Sequence, residues 1–112
     1  MFRGRRVTGI LLAGGSGSRF GGSVNKVYQD LCGRPVLSYS LAVMEKSSFI
    51  DDIVIVCRRH EQKEPERICK IAGIKKPIRF VHGGDTRQES VYNALISGCG
   101  QMMVIQDGAR PF

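Results

Sequence analysis

The sequence predicts an α/β fold in three layers, with a twisted and mostly parallel sheet between helices. Four short apolar segments have the composition of strands: Val7–Leu12, 53–57, 78–81 and 102–105. The segments between them are helical or rich in glycine, and this alternation is typical of parallel sheets with crossover helices. With 112 residues the chain forms one domain at most.

The first helix is predicted from Pro35, at a first helical position, to about Ser47. Leu37, Leu41 and Met44 recur at helical spacing and should form its inward face. A second, charged helix is predicted over 61–72. We expect it to be broken near its start by Pro65 and to face solvent.

The third helix is predicted to start at Thr86, because Thr86 and Glu89 have the spacing of a capping box. Its start should present free N–H groups around Gly84 and Asp85, which suits a polar ligand. One face of this helix carries Val91, Leu95 and Gly98, and residues 97–100 should end it.

A glycine-rich loop follows the first strand directly and carries two cations, Arg19 and Lys26. Five glycines fall within residues 14–22. Glycines let backbone N–H groups approach phosphate oxygens, and the cations add charge where a polyphosphate would lie. The spacing fits neither the P-loop nor the dinucleotide fingerprint. The loop therefore indicates a nucleoside triphosphate site of another kind, with a plain strand-to-helix turn as the alternative.

A second candidate site follows the last strand, where Asp107 and Gly108 stand. The strand itself, 102–105, is predicted to be buried. Its carboxyl end is the edge at which ligands bind in open α/β sheets. An Asp there is a hard oxygen ligand suited to Mg²⁺, which takes one or two carboxylates and leaves other positions to substrate phosphates. The alternative is an ordinary Asp-Gly turn.

Composition limits the partners. Seventeen Lys and Arg against ten Asp and Glu give a net charge of +7, so acidic partners are expected. A phosphorylated small molecule meets this expectation. Nucleic acid is not expected, because no basic run is interleaved with aromatic residues. The basic residues 3–6 are predicted to be a solvated lead-in to the first strand.

Four cysteines stand far apart without a C-x-x-C pair, so neither zinc nor a redox pair is indicated. Cys57 and Cys99 lie in apolar settings and should be core residues. His60 and His82 have no ligand-spaced partner, and neither is expected to be catalytic. The longest apolar run, 10–13, is too short for a membrane span, and a cytoplasmic location is expected.

Three motifs in this order resemble the amino-terminal half of the 2-C-methyl-D-erythritol 4-phosphate cytidylyltransferases. They are the loop Leu-Ala-Gly-Gly-x-Gly-x-Arg with Lys26, the segment 83–91 beginning Gly-Gly-Asp, and the segment 107–111, Asp-Gly-Ala-Arg-Pro. The resemblance covers the whole chain. It implies a Rossmann-like nucleotidyltransferase fold, truncated, with residues 1–112 as the amino-terminal, CTP-binding part of a single domain.

The resemblance also implies an activity and a set of site residues. The activity is transfer of a cytidylyl group from CTP to 2-C-methyl-D-erythritol 4-phosphate with release of pyrophosphate, in isoprenoid precursor synthesis. Arg19 and Lys26 match the catalytic cations, Asp107 the ligand of Mg²⁺, and Arg110 the contact to the acceptor phosphate. CTP is expected at Ala13, Gly14, Gly15, Gly17, Gly84, Asp85 and Ser90, with the last three at the cytosine ring.

Three departures from the family pattern stand beside the motifs: Asn25 for proline, Val27 for glutamine and Gln106 for histidine. The family's enzymes are about twice as long, so these 112 residues alone are expected to bind CTP without turnover. A full-length form is expected to be a homodimer. The alternatives are a ribitol 5-phosphate cytidylyltransferase and a nucleotide-binding fragment without catalysis.

Overall fold

The computed structural model of the chain describes residues 3–13, 30–31, 34–100 and 102–107. The strands are β1 (Val7–Leu12), β2 (Asp30–Leu31), β3 (Arg34–Pro35), β4 (Asp52–Cys57), β5 (Ile78–His82) and β6 (Met102–Asp107). The helices are α1 (Val36–Lys46), α2 (Lys63–Ala72) and α3 (Arg87–Ile96), and one 3₁₀ turn covers Arg59–Glu61.

The main sheet has four parallel strands in the order β5-β4-β1-β6, while β2 and β3 form a separate short antiparallel pair. The predicted parallel α/β sheet is confirmed. β6 is longer than predicted, because its pairing with β1 continues through Gln106 and Asp107. Asp107 is therefore the last residue of the strand and does not follow it.

The sheet is covered on both faces, so the predicted three layers are present. α1 and α2 pack on one face, around Leu11 and Ile55, and α3 packs on the other, around Ile10 and Val54. All four of these side chains are fully buried. A central parallel strand covered on both faces needs apolar side chains on both sides, and β1 supplies them with Val7 and Leu11 on one face and Ile10 on the other.

α1 confirms its predicted inward face. Leu37, Leu41 and Met44 are buried at spacings of four and three, which places them on one side of the helix. A side chain at Gly9 of β1 would meet the Met44 sulfur at 2.7 Å. A residue larger than glycine at this position would therefore require the flexible end of the Met44 side chain to shift. Pro35 lies in β3, one residue before the helix.

The prediction for α2 was wrong in two respects. Pro65 does not break the helix, because it lies in the first turn, where backbone N–H groups have no intrahelical partner and a missing one costs nothing. The helix is also not wholly solvent-facing: Pro65, Ile68 and Cys69 are buried against the sheet. Gly73 ends it in the left-handed conformation that favours glycine, with φ of 68°.

β6 differs from the predicted buried strand. It lies at one edge of the sheet, whereas α3 packs mainly against β4, β5 and β1. Met103 and Ile105, on the α3 side of β6, are 42% and 40% exposed. Met102 and Val104 point the other way and pack against the α1 cluster.

The amino-terminal edge of the sheet is held by polar contacts. Thr8 is fully buried; its hydroxyl donates to an Asp52 carboxylate oxygen at 2.9 Å and accepts the Gly100 N–H at 2.8 Å. Residues 3–6 are exposed, as predicted, and Arg6 also donates to the Gly98 carbonyl at 3.3 Å. These contacts stabilise the side of the sheet opposite the candidate site. Among the described residues, no helix has the length and apolar character that a membrane crossing requires.

Candidate functional site

The carboxyl ends of four parallel strands form one edge, and the order of the strands reverses between β1 and β6. In open α/β sheets this reversal opens the crevice in which ligands bind. Leu12, the last residue of β1, pairs with Asp107, the last of β6. The glycine-rich segment begins in the sequence two residues after Leu12, and Gly108 follows Asp107 directly; both segments lie outside the described residues. The fold thus brings together the starts of both predicted motifs, which are 95 residues apart in the chain (107 − 12 = 95).

Several predicted site residues lie outside the described residues: Gly14, Gly15, Gly17, Arg19, Lys26 and Arg110. Their roles stay predictions. For Asp107 the structure gives the backbone position at the switch point. Among the described residues no group of three or more His, Cys, Asp or Glu could hold a metal ion. That observation is compatible with Mg²⁺, which proteins bind through one or two carboxylates together with substrate phosphates.

Ala13 lies at the mouth of the crevice, fully buried. Its N–H donates to the Val56 carbonyl at 2.7 Å and so extends the bonding between β1 and β4. In this structure the Ala13 N–H is therefore bonded within the sheet. The assignment of Ala13 to the CTP site stays a prediction, and it depends on the position of Ala13 beside the glycine-rich loop.

The loop between β5 and α3 is bonded to the first turn of its own helix. The Gly84 N–H donates to the Ser90 hydroxyl at 3.2 Å, and the Asp85 N–H donates to the Glu89 carboxylate at 3.2 Å. The prediction of free N–H groups at these residues was therefore wrong: side chains from the helix satisfy them. The same two bonds bring Gly84, Asp85 and Ser90, the three predicted cytosine-site residues, into one compact cluster.

The capping prediction for α3 is confirmed with a small difference. Thr86 is the N-cap, in extended backbone, and its hydroxyl accepts the Glu89 N–H at 3.0 Å. In the usual capping box the glutamate would accept from the N-cap N–H. Here Glu89 instead accepts from Asp85, one residue earlier, and so holds the loop as well as the helix end.

Close packing explains the glycine pair in this loop. A side chain at Gly84 would clash with the Glu89 Cβ, and one at Gly83 would lie 2.8 Å from the Ser90 hydroxyl oxygen, which would have to shift. Glycine at Gly84 therefore allows the loop to lie this close to the helix.

Among the described residues, Cys57 at the end of β4 carries a thiol that is not suited to act as a nucleophile. Cys57 ends β4 and is fully buried. Burial, with the negative charges of Glu61 and Glu66 added, raises the pKa of the Cys57 thiol from 9.0 to about 11. Only the thiolate is reactive, so the side chain is inert near neutral pH. The prediction that Cys57 is a core residue is confirmed, and Cys99 is half-buried against the α3 cluster.

His82, the last residue of β5, has partners that the sequence did not predict. Its Nε2 lies 2.7 Å from the Gln62 amide oxygen, and its backbone carbonyl accepts from the Asn93 side chain at 3.1 Å. The contact with Gln62 joins residues 20 apart in the chain, and no local spacing pattern predicts it. His60, by contrast, is exposed, 4.0 Å from a Glu61 carboxylate oxygen.

An apolar hollow lies away from this edge, lined by Val7, Phe49, Met102, Met103 and Val104. Val7 and Met102 begin their strands, so the hollow opens at the amino-terminal end of β1 and β6. None of these described lining residues has a polar side chain that could fix a ligand. The carboxyl edge remains the candidate site.

Comparison with known proteins gives a consistent result. The family model for 2-C-methyl-D-erythritol 4-phosphate cytidylyltransferase matches residues 7–112. A Clostridium tetani protein of that name is 42% identical over 104 residues, which cover 92% of this chain and 42% of that protein. An Anaeromyxobacter dehalogenans protein named bifunctional enzyme IspD/IspF is 41% identical over 112 residues, covering 100% of this chain and 28% of that protein.

A solved structure agrees with these relatives. The crystal structure of 4-diphosphocytidyl-2C-methyl-D-erythritol synthase from Anaerococcus prevotii is similar with a TM-score of 0.78 and 29% sequence identity. The match covers 96% of this chain and 45% of that one. The chain therefore spans less than half the length of the relatives it matches.

Proposed function

The chain belongs to the 2-C-methyl-D-erythritol 4-phosphate cytidylyltransferase family, and from that premise we propose that it forms the CTP-binding part of a nucleotidyltransferase. The reaction is transfer of the cytidylyl group of CTP to 2-C-methyl-D-erythritol 4-phosphate, with release of pyrophosphate. The product serves isoprenoid precursor synthesis. CTP and the polyol phosphate are the partners, in keeping with the net charge of +7.

One observation carries the proposal: the pairing of Leu12 with Asp107 at the switch point of the sheet. It puts the start of the glycine loop beside the start of the Asp107 segment, on neighbouring strands ~4.8 Å apart. The Gly84 loop lies on the same edge, two strands away from β1. A triphosphate at the switch point and a base at the Gly84 loop would thus lie along one edge, as a single nucleotide requires.

In the proposed reaction an oxygen of the acceptor phosphate attacks the α-phosphorus of CTP, and the bond to the β-phosphate oxygen breaks as pyrophosphate leaves. The attacking phosphate is already anionic near neutral pH, so no protein base is needed. The protein must overcome repulsion between two polyanions and stabilise charge on the α-phosphate and the leaving group. Arg19 and Lys26 are proposed for this, with Arg110 holding the acceptor phosphate.

Magnesium is proposed as the cofactor, held by Asp107. The donor chemistry fits, since a single carboxylate at the carboxyl end of β6 leaves the other positions to phosphate oxygens. When bound, Mg²⁺ supplies a positive charge that neutralises the polyphosphate. Glycines 14, 15 and 17 would add backbone N–H donors on the other side of the crevice.

Nucleotide binding tests this proposal. Calorimetric titration of the chain with CTP and Mg²⁺ should give binding that weakens when a chelator is added and that is weaker with ATP. Asp107→Ala should remove the effect of the chelator. Equal affinities for CTP and ATP would contradict the proposal, as would tight CTP binding that does not respond to metal.

The acceptor is tested separately, by pyrophosphate release with CTP and either 2-C-methyl-D-erythritol 4-phosphate or ribitol 5-phosphate in a full-length form. The family match favours the first acceptor. Faster release with ribitol 5-phosphate would support the alternative substrate. CTP binding without release in a full-length form would support a non-catalytic protein. The cytoplasmic location and the homodimer stay predictions.

A further inference from the structure

His82 connects the sheet to the predicted base-binding loop and is held from both faces of the sheet. From the α2 side, the Gln62 amide oxygen lies 2.7 Å from His82 Nε2. From the α3 side, the Asn93 amide donates to the His82 carbonyl at 3.1 Å. The next residue, Gly83, donates its N–H to the Cys57 carbonyl at 3.0 Å. Gly84 and Asp85 of the predicted base-binding loop follow these two bonded residues directly in the chain.

A third residue orients the Gln62 amide. The Gln62 NH₂ group donates to a Glu66 carboxylate oxygen at 2.9 Å, one helical turn further along. A carboxylate oxygen accepts only, so the NH₂ group must face Glu66 and the carbonyl oxygen must face His82. His82 Nε2 must then carry the hydrogen and donate it. The chain Glu66, Gln62, His82 therefore has one arrangement of donors and acceptors.

We propose that Gln62 is a positioning residue for the nucleotide base, acting through His82 on the loop that holds Gly84 and Asp85. Gln62 precedes α2 and has no place in the predicted motifs. Gln62 fixes the His82 ring at the end of β5. By holding the ring, it also fixes the direction in which the backbone enters the loop. A base-binding site needs its polar groups within a fraction of an ångström of the positions that the base requires. Loss of the bond between Gln62 and His82 should therefore weaken base binding, although neither side chain is proposed to touch the base. The inference rests on the proposed CTP binding.

The first test is the CTP affinity of Gln62→Met, which keeps the length of the side chain and removes its polar end. We expect the dissociation constant for CTP to rise roughly fivefold, the size expected for one lost neutral hydrogen bond. Lys70→Met is the matched control, because it removes a polar end from an exposed position of α2, the helix that Gln62 precedes. Its affinity should equal that of the unaltered chain.

A double variant tests whether the effect passes through His82. His82→Phe keeps a ring and loses the donor, and we expect the same roughly fivefold loss. Gln62→Met combined with His82→Phe should bind CTP no more weakly than His82→Phe alone, since both remove the same bond. Additive losses would overturn the inference. Urea unfolding of each variant separates this from a merely structural role, which would lower stability and leave the affinity of the folded chain unchanged.

Amide hydrogen exchange provides a measurement without nucleotide. Exchange at Gly83, Gly84 and Asp85 should be several-fold faster in Gln62→Met than in Lys70→Met. Unchanged exchange would overturn the inference whether or not CTP binds. Failure of the unaltered chain to bind CTP would instead contradict the proposed function. Normal CTP affinity in Gln62→Met, with binding by the unaltered chain, would overturn the inference alone.

Discussion

At the scale of the residue, the loop between β5 and α3 contains two glycines at which a side chain would contact the start of α3. The contacts that a Cβ would make differ in kind: at Gly83 it meets a hydroxyl that can rotate, and at Gly84 it meets the Cβ of Glu89, which can move only with the helix backbone. Gly84 is therefore the less tolerant of the two. Its requirement comes from close approach, since no positive φ is recorded for it.

Gly84→Ala should weaken CTP binding by tenfold or more, on the order of the 1–3 kcal/mol that overpacking costs. Gly73→Ala is the control, because it strains the left-handed end of α2 in open space far from the loop. We expect both variants to unfold at lower urea concentration and only Gly84→Ala to lose CTP affinity. Equal CTP affinities in the two variants would show that the loop tolerates the shift.

Arg19 and Lys26 are assigned to charge that develops during the reaction. Changing either to alanine in a full-length form should lower kcat by roughly 10² or more, as expected for groups that stabilise a transition state. Steady-state kinetics with both substrates provide the measurement. A higher KM with unchanged kcat would instead make them ground-state binding residues.

At the scale of the element, α1 stabilises the sheet through one narrow face. Leu41 is fully buried there, whereas Val43, two residues on, is 45% exposed. Residues two positions apart on a helix point in different directions. Leu41 and Val43 should therefore contribute differently to the free energy of unfolding, although both side chains are apolar.

Leu41→Ala should lower the free energy of unfolding by about 2–5 kcal/mol, the cost of a buried cavity. Val43→Ala should change it by no more than about 0.5 kcal/mol. Urea unfolding followed by circular dichroism measures both. Similar effects of the two changes would contradict the packing of α1 described above.

At the scale of the whole molecule, two buried thiols make stability depend on pH. Burial, with the charge of Glu66 added, raises the pKa of Cys69 to about 11, as it does for Cys57 with Glu61 and Glu66. The folded state holds these protons more tightly than the unfolded state, whose thiols have their ordinary pKa of 9.0. Their contribution is therefore complete below pH 9 and is lost as the pH rises toward 11.

Stability measured by urea unfolding should accordingly fall between pH 9 and 11, and less steeply in a Cys57→Ala, Cys69→Ala double variant. Comparing the slopes of the two proteins removes the contribution of lysines and tyrosines that titrate in the same range. Identical slopes would contradict the raised pKa values. In a Cys32→Ser background, a thiol reagent at pH 7 should label Cys57 and Cys69 only slowly, since little thiolate is present.

Although it did not predict the short pair β2 and β3, the sequence by itself determined the four strands of the main sheet, the inward face of α1 and the cap of α3. Each of these depends on spacing within one segment: the apolar run of β1, the interval from Leu37 to Leu41, and the three residues from Thr86 to Glu89. Backbone geometry turns such spacing into structure without help from distant residues. The sequence also showed that the candidate motifs follow predicted strands. The carboxyl ends of parallel strands lie at one edge of the sheet, so the motifs could be predicted to lie there together.

Only the tertiary structure decided which polar groups form hydrogen bonds with one another and which apolar side chains are buried. The order of strands made β6 an edge, which exposes Met103 and Ile105 although their sequence is that of a buried strand. Packing against the sheet buried Pro65, and the fold of the loop gave the N–H groups of Gly84 and Asp85 to Ser90 and Glu89. The contact between Gln62 and His82 spans two elements. Each polar or apolar group finds its partner through the pairing of distant segments, and local spacing contains no information about that pairing.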